Sequence, residues 1–209
     1  MVNIFLNEVI NCLDNECYLS ALSDAMVLID MCTVAEFPDS KTNGNHGKRY
    51  IEWVDTYLIP HIEVFHFSSA SDELPTPYLN GEILYSLRCC LLHNGTPNIE
   101  SKKLKDENNV VEQFEIIVEK TKEFNIYIQE YATYEDAKHF DGKYVVNPDE
   151  TDLNKHLHKH ISLNVQKFCR DVCCIVKKYY SDNQSLFSFN CKIRNKDEEM
   201  EYMNTYVYK

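Results

Sequence analysis

Apolar residues recur at helical spacing in the first quarter of the chain. Residues 17–37 contain no Gly or Pro, and Pro38 ends the pattern. The positions that repeat every three or four residues there are Leu22, Ala25, Met26, Ile29 and Cys32. A shorter amphipathic segment covers residues 4–13, and a further helical period follows the polar 38–47 loop over residues 48–58. The pattern predicts three helices before residue 60.

Two later segments alternate apolar and polar positions with the period of a β-strand. They are Phe114, Ile116 and Val118, and then Phe124, Ile126 and Ile128. The short polar connection between them predicts a β-hairpin over about residues 110–131. A third run alternates in the same way at Phe187, Phe189, Cys191 and Ile193 and predicts a further strand.

The segment between the hairpin and this last strand has the signals of a long helix. Asn147 and Pro148 suit the N-cap and first helical positions, and no Gly or Pro occurs from residue 149 to 180. A heptad-like seam follows steps of four and three through Ile161, Val165, Phe168, Val172, Ile175 and Tyr179. We therefore predict a long C-terminal helix over about residues 149–180.

Together these elements predict a mainly α, α+β fold. We expect a helical bundle with a small peripheral antiparallel β-sheet of two or three strands. The chain has 209 residues, and no stretch divides its apolar residues into two sets, so we expect a single domain spanning residues 1–209. Two small domains are the alternative.

The composition of the chain predicts its cellular compartment and restricts the partners that it can bind. The N-terminus has no basic stretch before its apolar residues, and no uninterrupted apolar run reaches the roughly 18 residues of a membrane helix. The nine cysteines are an odd number without a disulfide or zinc spacing, so we expect free thiols and a cytoplasmic protein without membrane, metal or cofactor. The net charge of −12 repels nucleic acid overall, so any contact with RNA requires a local basic cleft.

The predicted helix over residues 82–93 has two faces and ends at Asn94-Gly95. Its apolar face is made of Ile83, Leu84, Leu87, Cys90 and Leu91. The opposite face contains Arg88, Leu92, Tyr85, Cys89 and His93, with Glu82 and Ser86 beyond. It lacks Lys and is too apolar for a solvent-facing surface. We therefore expect a second part of the chain or a second copy to cover it.

The segment Arg88-Cys-Cys-Leu-Leu-His93-Asn-Gly95 resembles the motif of the HEPN superfamily, in which four to six residues separate an Arg from a His at the end of a helix. The surrounding sequence also resembles uncharacterised bacterial HEPN-like proteins. The residue after the Arg, commonly Asn, Asp or His in active members, is Cys89 in this chain. The resemblance implies a helical-bundle fold and a metal-independent endoribonuclease, in a setting such as bacterial defence or a toxin–antitoxin pair.

In the implied reaction the ribose 2′-hydroxyl attacks the adjacent phosphate, His93 moves protons and Arg88 stabilises the transition state. Cys89, Tyr85 and Glu82 would support this pair. On an ideal helix Arg88 and His93 point about 140° apart, so we expect a homodimer that pools both pairs in one cleft around RNA. The alternative implied by the resemblance is a non-catalytic dimeric module that binds a partner protein or a nucleotide.

Structural roles for the same residues remain open. Arg88 would then pair with an acid such as Glu36 or Glu82, and His93 would cap the helix C-terminus. His156 and His160, one turn apart on the predicted long helix, are interpreted as a solvated face rather than a metal site. Cys169 and Cys173 are interpreted as packing residues.

Overall fold

A computed structural model of the chain describes residues 1–40, 42–68, 79–95, 109–119, 124–131, 157–188, 193–195 and 200–202. The helices are α1 (Val2–Asp14), α2 (Tyr18–Glu36), α3 (His46–Trp53), α4 (Gly81–Cys89) and α5 (Val165–Asp182). π-Helical turns cover Val54–Leu58 and Cys90–Asn94, and single 3-10 turns cover Pro38–Ser40, Ile59–His61 and Gln184–Leu186. The strands are β1 (Val64–Ser68), β2 (Asn109–Ile117), β3 (Ile126–Tyr131), β4 (Leu157–Asn164), β5 (Ile193–Asn195) and β6 (Met200–Tyr202). The prediction of a mainly helical fold with a small sheet is confirmed.

The chain divides into two compact units. One consists of Met1–Trp53 and Cys169–Lys209, and the other of Val54–Phe168. The first holds α1, α2, α3 and most of α5, so we call it the helical unit. The second holds α4 and strands β1 to β4, so we call it the sheet unit.

The helical unit is organised around α2, whose buried residues lie on several sides of the helix. Helix α1 packs on it through Leu6, Val9 and Leu13, which recur at steps of three and four. Trp53 at the end of α3 is fully buried and meets the Tyr179 ring of α5 edge-to-face, with 5.4 Å between ring centroids. Burial of these apolar side chains supplies most of the stabilisation of the unit.

Helix α2 has a high average hydropathy, although its sequence contains no uninterrupted apolar run of membrane-spanning length. It is 19 residues long with a mean hydropathy of 1.4 over 18 residues, so it could cross a membrane by length and composition. Asp24 and Asp30 interrupt the apolar run, which is why the sequence showed no continuous span. Half of the window is buried inside the protein, and a core helix of a soluble protein has the same composition.

The sheet unit contains a four-stranded mixed sheet in the order β1-β3-β4-β2. Strand β4 pairs antiparallel with β3 and parallel with β2, while β1 pairs parallel with β3. Ile126 of β3 and Leu163 of β4 are register partners, and both are fully buried. The predicted hairpin over residues 110–131 is therefore wrong in its pairing, because β4 lies between β2 and β3. The sheet also has more strands than predicted and is not purely antiparallel.

The predicted helix over residues 149–180 is likewise corrected. Its described part is strand β4 up to Asn164 followed by α5, which continues to Asp182. Residues 149–156, with the predicted N-terminal cap at Asn147, lie outside the described residues. The strand forms because Ile161 and Leu163 alternate with polar neighbours and are both fully buried.

The strand expected over residues 187–193 falls partly outside the described residues. Phe187 is buried beside Tyr180, with ring centroids 4.9 Å apart, and is not part of a strand. Ile193 begins β5, which pairs antiparallel with β6 as a separate two-stranded sheet. Of the two described positions in this run, Phe187 and Ile193, Ile193 lies in a strand and Phe187 does not.

Candidate functional site

The start of α4 is fixed by two side chains. Asn80 is the N-cap, and its Oδ1 accepts a hydrogen bond from the Ile83 backbone N–H at 3.0 Å. The Gly81 N–H donates to Oδ1 of Asp55 at 2.6 Å. Asp55 lies in the Val54–Leu58 π-helical turn, and its partner is 26 residues away in sequence. Sequence reasoning did not identify Asp55, because no local pattern marks so distant a cap.

The two faces of this helix match the sequence projection. The predicted apolar face is buried through Ile83, Leu84, Leu87, Cys90 and Leu91. On the other face Ser86 is buried as well, whereas the remaining residues are half-buried or, at His93, exposed. Among the described residues of this face, exposure is therefore greatest at its C-terminal end.

A π-helical turn ends the segment and changes the direction in which His93 points. Residues Cys90–Asn94 are π-helical, and Gly95 closes the turn with a φ of 66° and hydrogen bonds to the carbonyls of Cys90 and Leu91. In a π-helix the repeating hydrogen bond joins residues five apart, and one turn takes more residues than in an α-helix, so residues five apart across such a turn diverge less in direction. Arg88 and His93 have this separation. The wider turn brings them to the same side of the helix.

Arg88 and His93 consequently meet within one chain. Arg88 Nη1 lies 3.0 Å from His93 Nε2. The expectation that a single copy converges the pair poorly is wrong, because it assumed an α-helical turn throughout. A guanidinium has donors only, so Nε2 must act as the acceptor and the ring proton is on Nδ1. The site therefore holds a cation hydrogen-bonded to a neutral imidazole.

The predicted supporting residues are unequally placed. Cys89 follows Arg88 directly, and Tyr85 lies one turn before it; both side chains are half-buried. Glu82 is in the first turn of α4, roughly 16 Å along the axis from His93 at about 1.5 Å per residue. Glu82 thus lies at the opposite end of the helix from the Arg88–His93 pair.

The position of His93 also fits a structural role. His93 lies in the last turn before Gly95, where a histidine N–H can donate to the last carbonyls of the helix.

The other histidines do not form the predicted helical face. His158 and His160 are positions of strand β4, and His156 lies outside the described residues. Alternation at every second position was the signal for a strand. Within the described ranges, no three His, Cys, Asp or Glu side chains are grouped as a metal site would require.

The described cysteines are free thiols, and several serve as packing residues. Cys169 is fully buried and Cys173 almost so. Burial raises the pKa of Cys173 to about 12 and that of Cys169 well above the ordinary thiol range. Both thiols are therefore protonated at neutral pH, as expected of packing residues rather than nucleophiles.

Comparison of the chain with protein-family models, curated proteins and solved structures finds no match.

Proposed function

We propose that this protein is a cytoplasmic, metal-independent endoribonuclease of the HEPN type that acts as a homodimer. The observation that carries the proposal is the 3.0 Å contact between Arg88 Nη1 and His93 Nε2 at the accessible end of α4. An arginine can bind two phosphate oxygens at once, and a neutral imidazole can accept a proton. Cleavage of RNA by its own 2′-hydroxyl uses both of these groups.

The contact suggests how substrate would activate the histidine. In the free protein the Nε2 lone pair of His93 is engaged by Arg88. A bound RNA phosphate would draw the guanidinium away through charge-assisted hydrogen bonds, which leaves Nε2 able to accept the proton of the 2′-hydroxyl. The 2′-oxygen then bonds to phosphorus as the 5′-oxygen leaves, giving a 2′,3′-cyclic phosphate and a 5′-hydroxyl.

A second copy of the chain would complete this reaction. The leaving 5′-oxygen needs a proton while His93 is taking one up, and one Arg–His pair supplies a single imidazole. The partner's His93, in its protonated imidazolium form, would donate that proton and become neutral. A two-fold axis near α4 would place the pairs of two protomers in one cleft. The half-buried Tyr85, Cys89 and Leu92 on the same face would be covered in the dimer.

The test is cleavage of single-stranded RNA in EDTA by purified protein. Arg88→Ala and His93→Ala should each reduce the rate by at least about 100-fold, because each removes a group that acts in the transition state. Arg170→Ala and His61→Ala are matched controls, since both residues are exposed and lie outside the site. They should cleave at the parental rate.

Mixing experiments distinguish a shared site from two separate ones. When parental and His93→Ala chains are exchanged in equal amounts, about one quarter of the dimers carry two intact chains. Activity should fall to about one quarter for a shared site and to about one half for independent sites. A dimer that leaves RNA intact would support the non-catalytic HEPN-like module that binds protein or nucleotide and would refute the ribonuclease.

A further inference from the structure

The helical unit contains a polar pocket that the proposed ribonuclease site does not use. It has a volume of about 220 Å³ and lies where α2 ends and α3 begins. We call it the Arg49 pocket; the lining residues that matter are Glu36, Phe37, Asp39, Ser40, Asn45 and Arg49. A pocket of this volume has room for a ligand of a few heavy atoms, which restricts the ligand to a small molecule.

Arg49 is held in place before any ligand arrives. Its guanidinium carbon lies 4.6 Å from the centroid of the Phe37 ring, in a cation–π contact. Its Nη1 also forms an ion pair with Glu52. A guanidinium carries five N–H donors, so these contacts orient the group and leave it able to bind a carboxylate.

Glu36 provides the opposite charge in the same pocket. It accepts a hydrogen bond from the hydroxyl of Tyr179, which is buried. Burial, and then the hydrogen bond to Glu36, raise the pKa of Tyr179 well above its ordinary value. The tyrosine therefore remains a donor that fixes one oxygen of Glu36, and Asp39 adds a second acid to the lining.

The hydroxyl of Ser40 is a second, independent indication of a ligand. Ser40 is 4% exposed, and its Oγ has no hydrogen-bond partner in the part of the chain that the structure describes. A buried hydroxyl without a partner is costly and rare in native proteins. A polar ligand atom in the pocket would satisfy it.

We propose that the Arg49 pocket binds a small α-amino acid as its zwitterion. The ligand carboxylate would bind Arg49 and accept from the Ser40 hydroxyl, and its ammonium group would lie toward Glu36 and Asp39. The charges decide between ligand classes. Two acids disfavour a simple anion such as phosphate, and the fixed guanidinium disfavours a simple cation.

Isothermal titration of the full chain with glycine, L-alanine and L-serine tests this assignment. We expect at least one of them to bind one-to-one with a dissociation constant below about 1 mM. The N-acetyl derivative, which lacks the ammonium, and the amide, which lacks the carboxylate, should each bind at least about tenfold more weakly. No saturable heat with any of the three, or equal binding of either derivative, would overturn the proposal.

Variants of residues in and near the Arg49 pocket test whether the amino acid binds there. Arg49→Gln should weaken the amino acid at least about tenfold, and Lys48→Gln, which changes an exposed neighbour outside the lining, should leave it unchanged. Ser40→Ala should lower the affinity several-fold without lowering the melting temperature of the ligand-free protein, since the hydroxyl makes no described bond to lose. Unaltered affinity in Ser40→Ala and Arg49→Gln together would place the ligand elsewhere.

Discussion

The side-chain amide of Asn164 donates to the backbone carbonyl of Glu119 at 3.1 Å and so ties the end of β4 to the residues after β2. The same Nδ2 approaches the Phe124 carbonyl at 3.4 Å, and Oδ1 lies 3.5 Å from the Lys167 N–H in the first turn of α5. Asn164 is fully buried. One side chain therefore joins the sheet to the start of α5.

Replacement of Asn164 by Ala should destabilise the protein by roughly 2–4 kcal/mol. Two part-buried carbonyls lose a donor, and the Lys167 N–H in the first turn of α5 loses its acceptor. Urea denaturation monitored by circular dichroism measures the free energy of unfolding. The matched control is Asn183→Ala, whose half-buried amide donates to the Tyr179 carbonyl alone, so we expect it to cost about 1 kcal/mol or less. Equal losses in the two variants would contradict this role for Asn164.

The boundary between β4 and α5, which lies at Asn164, explains why part of the fold could not be predicted from the sequence. Ile161 is buried in β4 but lies four residues before Val165, so it extends the helical spacing of α5 across a boundary that no Gly or Pro marks. The segment was consequently predicted as one helix. Because β4 was predicted as part of a helix, the sequence offered β2 and β3 only each other as pairing partners.

The features of the candidate site that depend on neighbouring residues in the sequence could be predicted. The burial pattern of α4 and its stop at Asn94-Gly95 follow from spacing and from the conformational freedom of glycine at a positive φ. The π-helical turn has no sequence signature, so the convergence of Arg88 with His93 could not be foreseen. The cap from Asp55 was also missed, since it is set by tertiary contact.

The Arg88–His93 contact predicts the tautomer of the imidazole. Because Nε2 accepts from the guanidinium, neutral His93 should carry its proton on Nδ1. Nitrogen-15 chemical shifts of the ring, measured on the full chain at about pH 8 where histidine is normally neutral, report the protonated nitrogen directly. Arg88→Ala should shift the tautomer ratio toward protonated Nε2. The exposed His61 serves as the internal reference and should not respond. An unchanged His93 spectrum would show that the contact is absent in solution.

The thiols should fall into two classes of reactivity. Cys17 and Cys174 are exposed, whereas Cys32, Cys169 and Cys173 are buried. Burial also raises the pKa of these three thiols, so they lack the thiolate that an alkylating reagent attacks. Peptide mass spectrometry after brief iodoacetamide treatment at about pH 8 should find the exposed pair modified first. The buried three should react only as fast as the protein unfolds. Rapid native alkylation of Cys173 would show that this face of α5 is open.

Asp24 should oppose folding at neutral pH. Burial in α2, and then the neighbouring carboxylate of Glu8, raise the pKa of Asp24 above its ordinary value of 3.8. The folded protein therefore binds this proton more tightly than the unfolded chain does. The contribution of Asp24 to stability is most favourable below pH 3.8 and declines as the pH rises through the raised folded value.

Asp24→Asn removes the charge and should raise the melting temperature at about pH 7, with the gain over the parent disappearing as the pH falls below the ordinary aspartate range. Thermal unfolding of both proteins across this pH range measures the difference in their melting temperatures. The titration of the other acids affects both proteins alike and therefore cancels in this difference. The gain should be smaller when Glu8→Gln is already present, because the exposed Glu8 carboxylate is part of the cause. A variant less stable than the parent at neutral pH would mean that the Asp24 carboxylate makes a favourable contact that outweighs its desolvation.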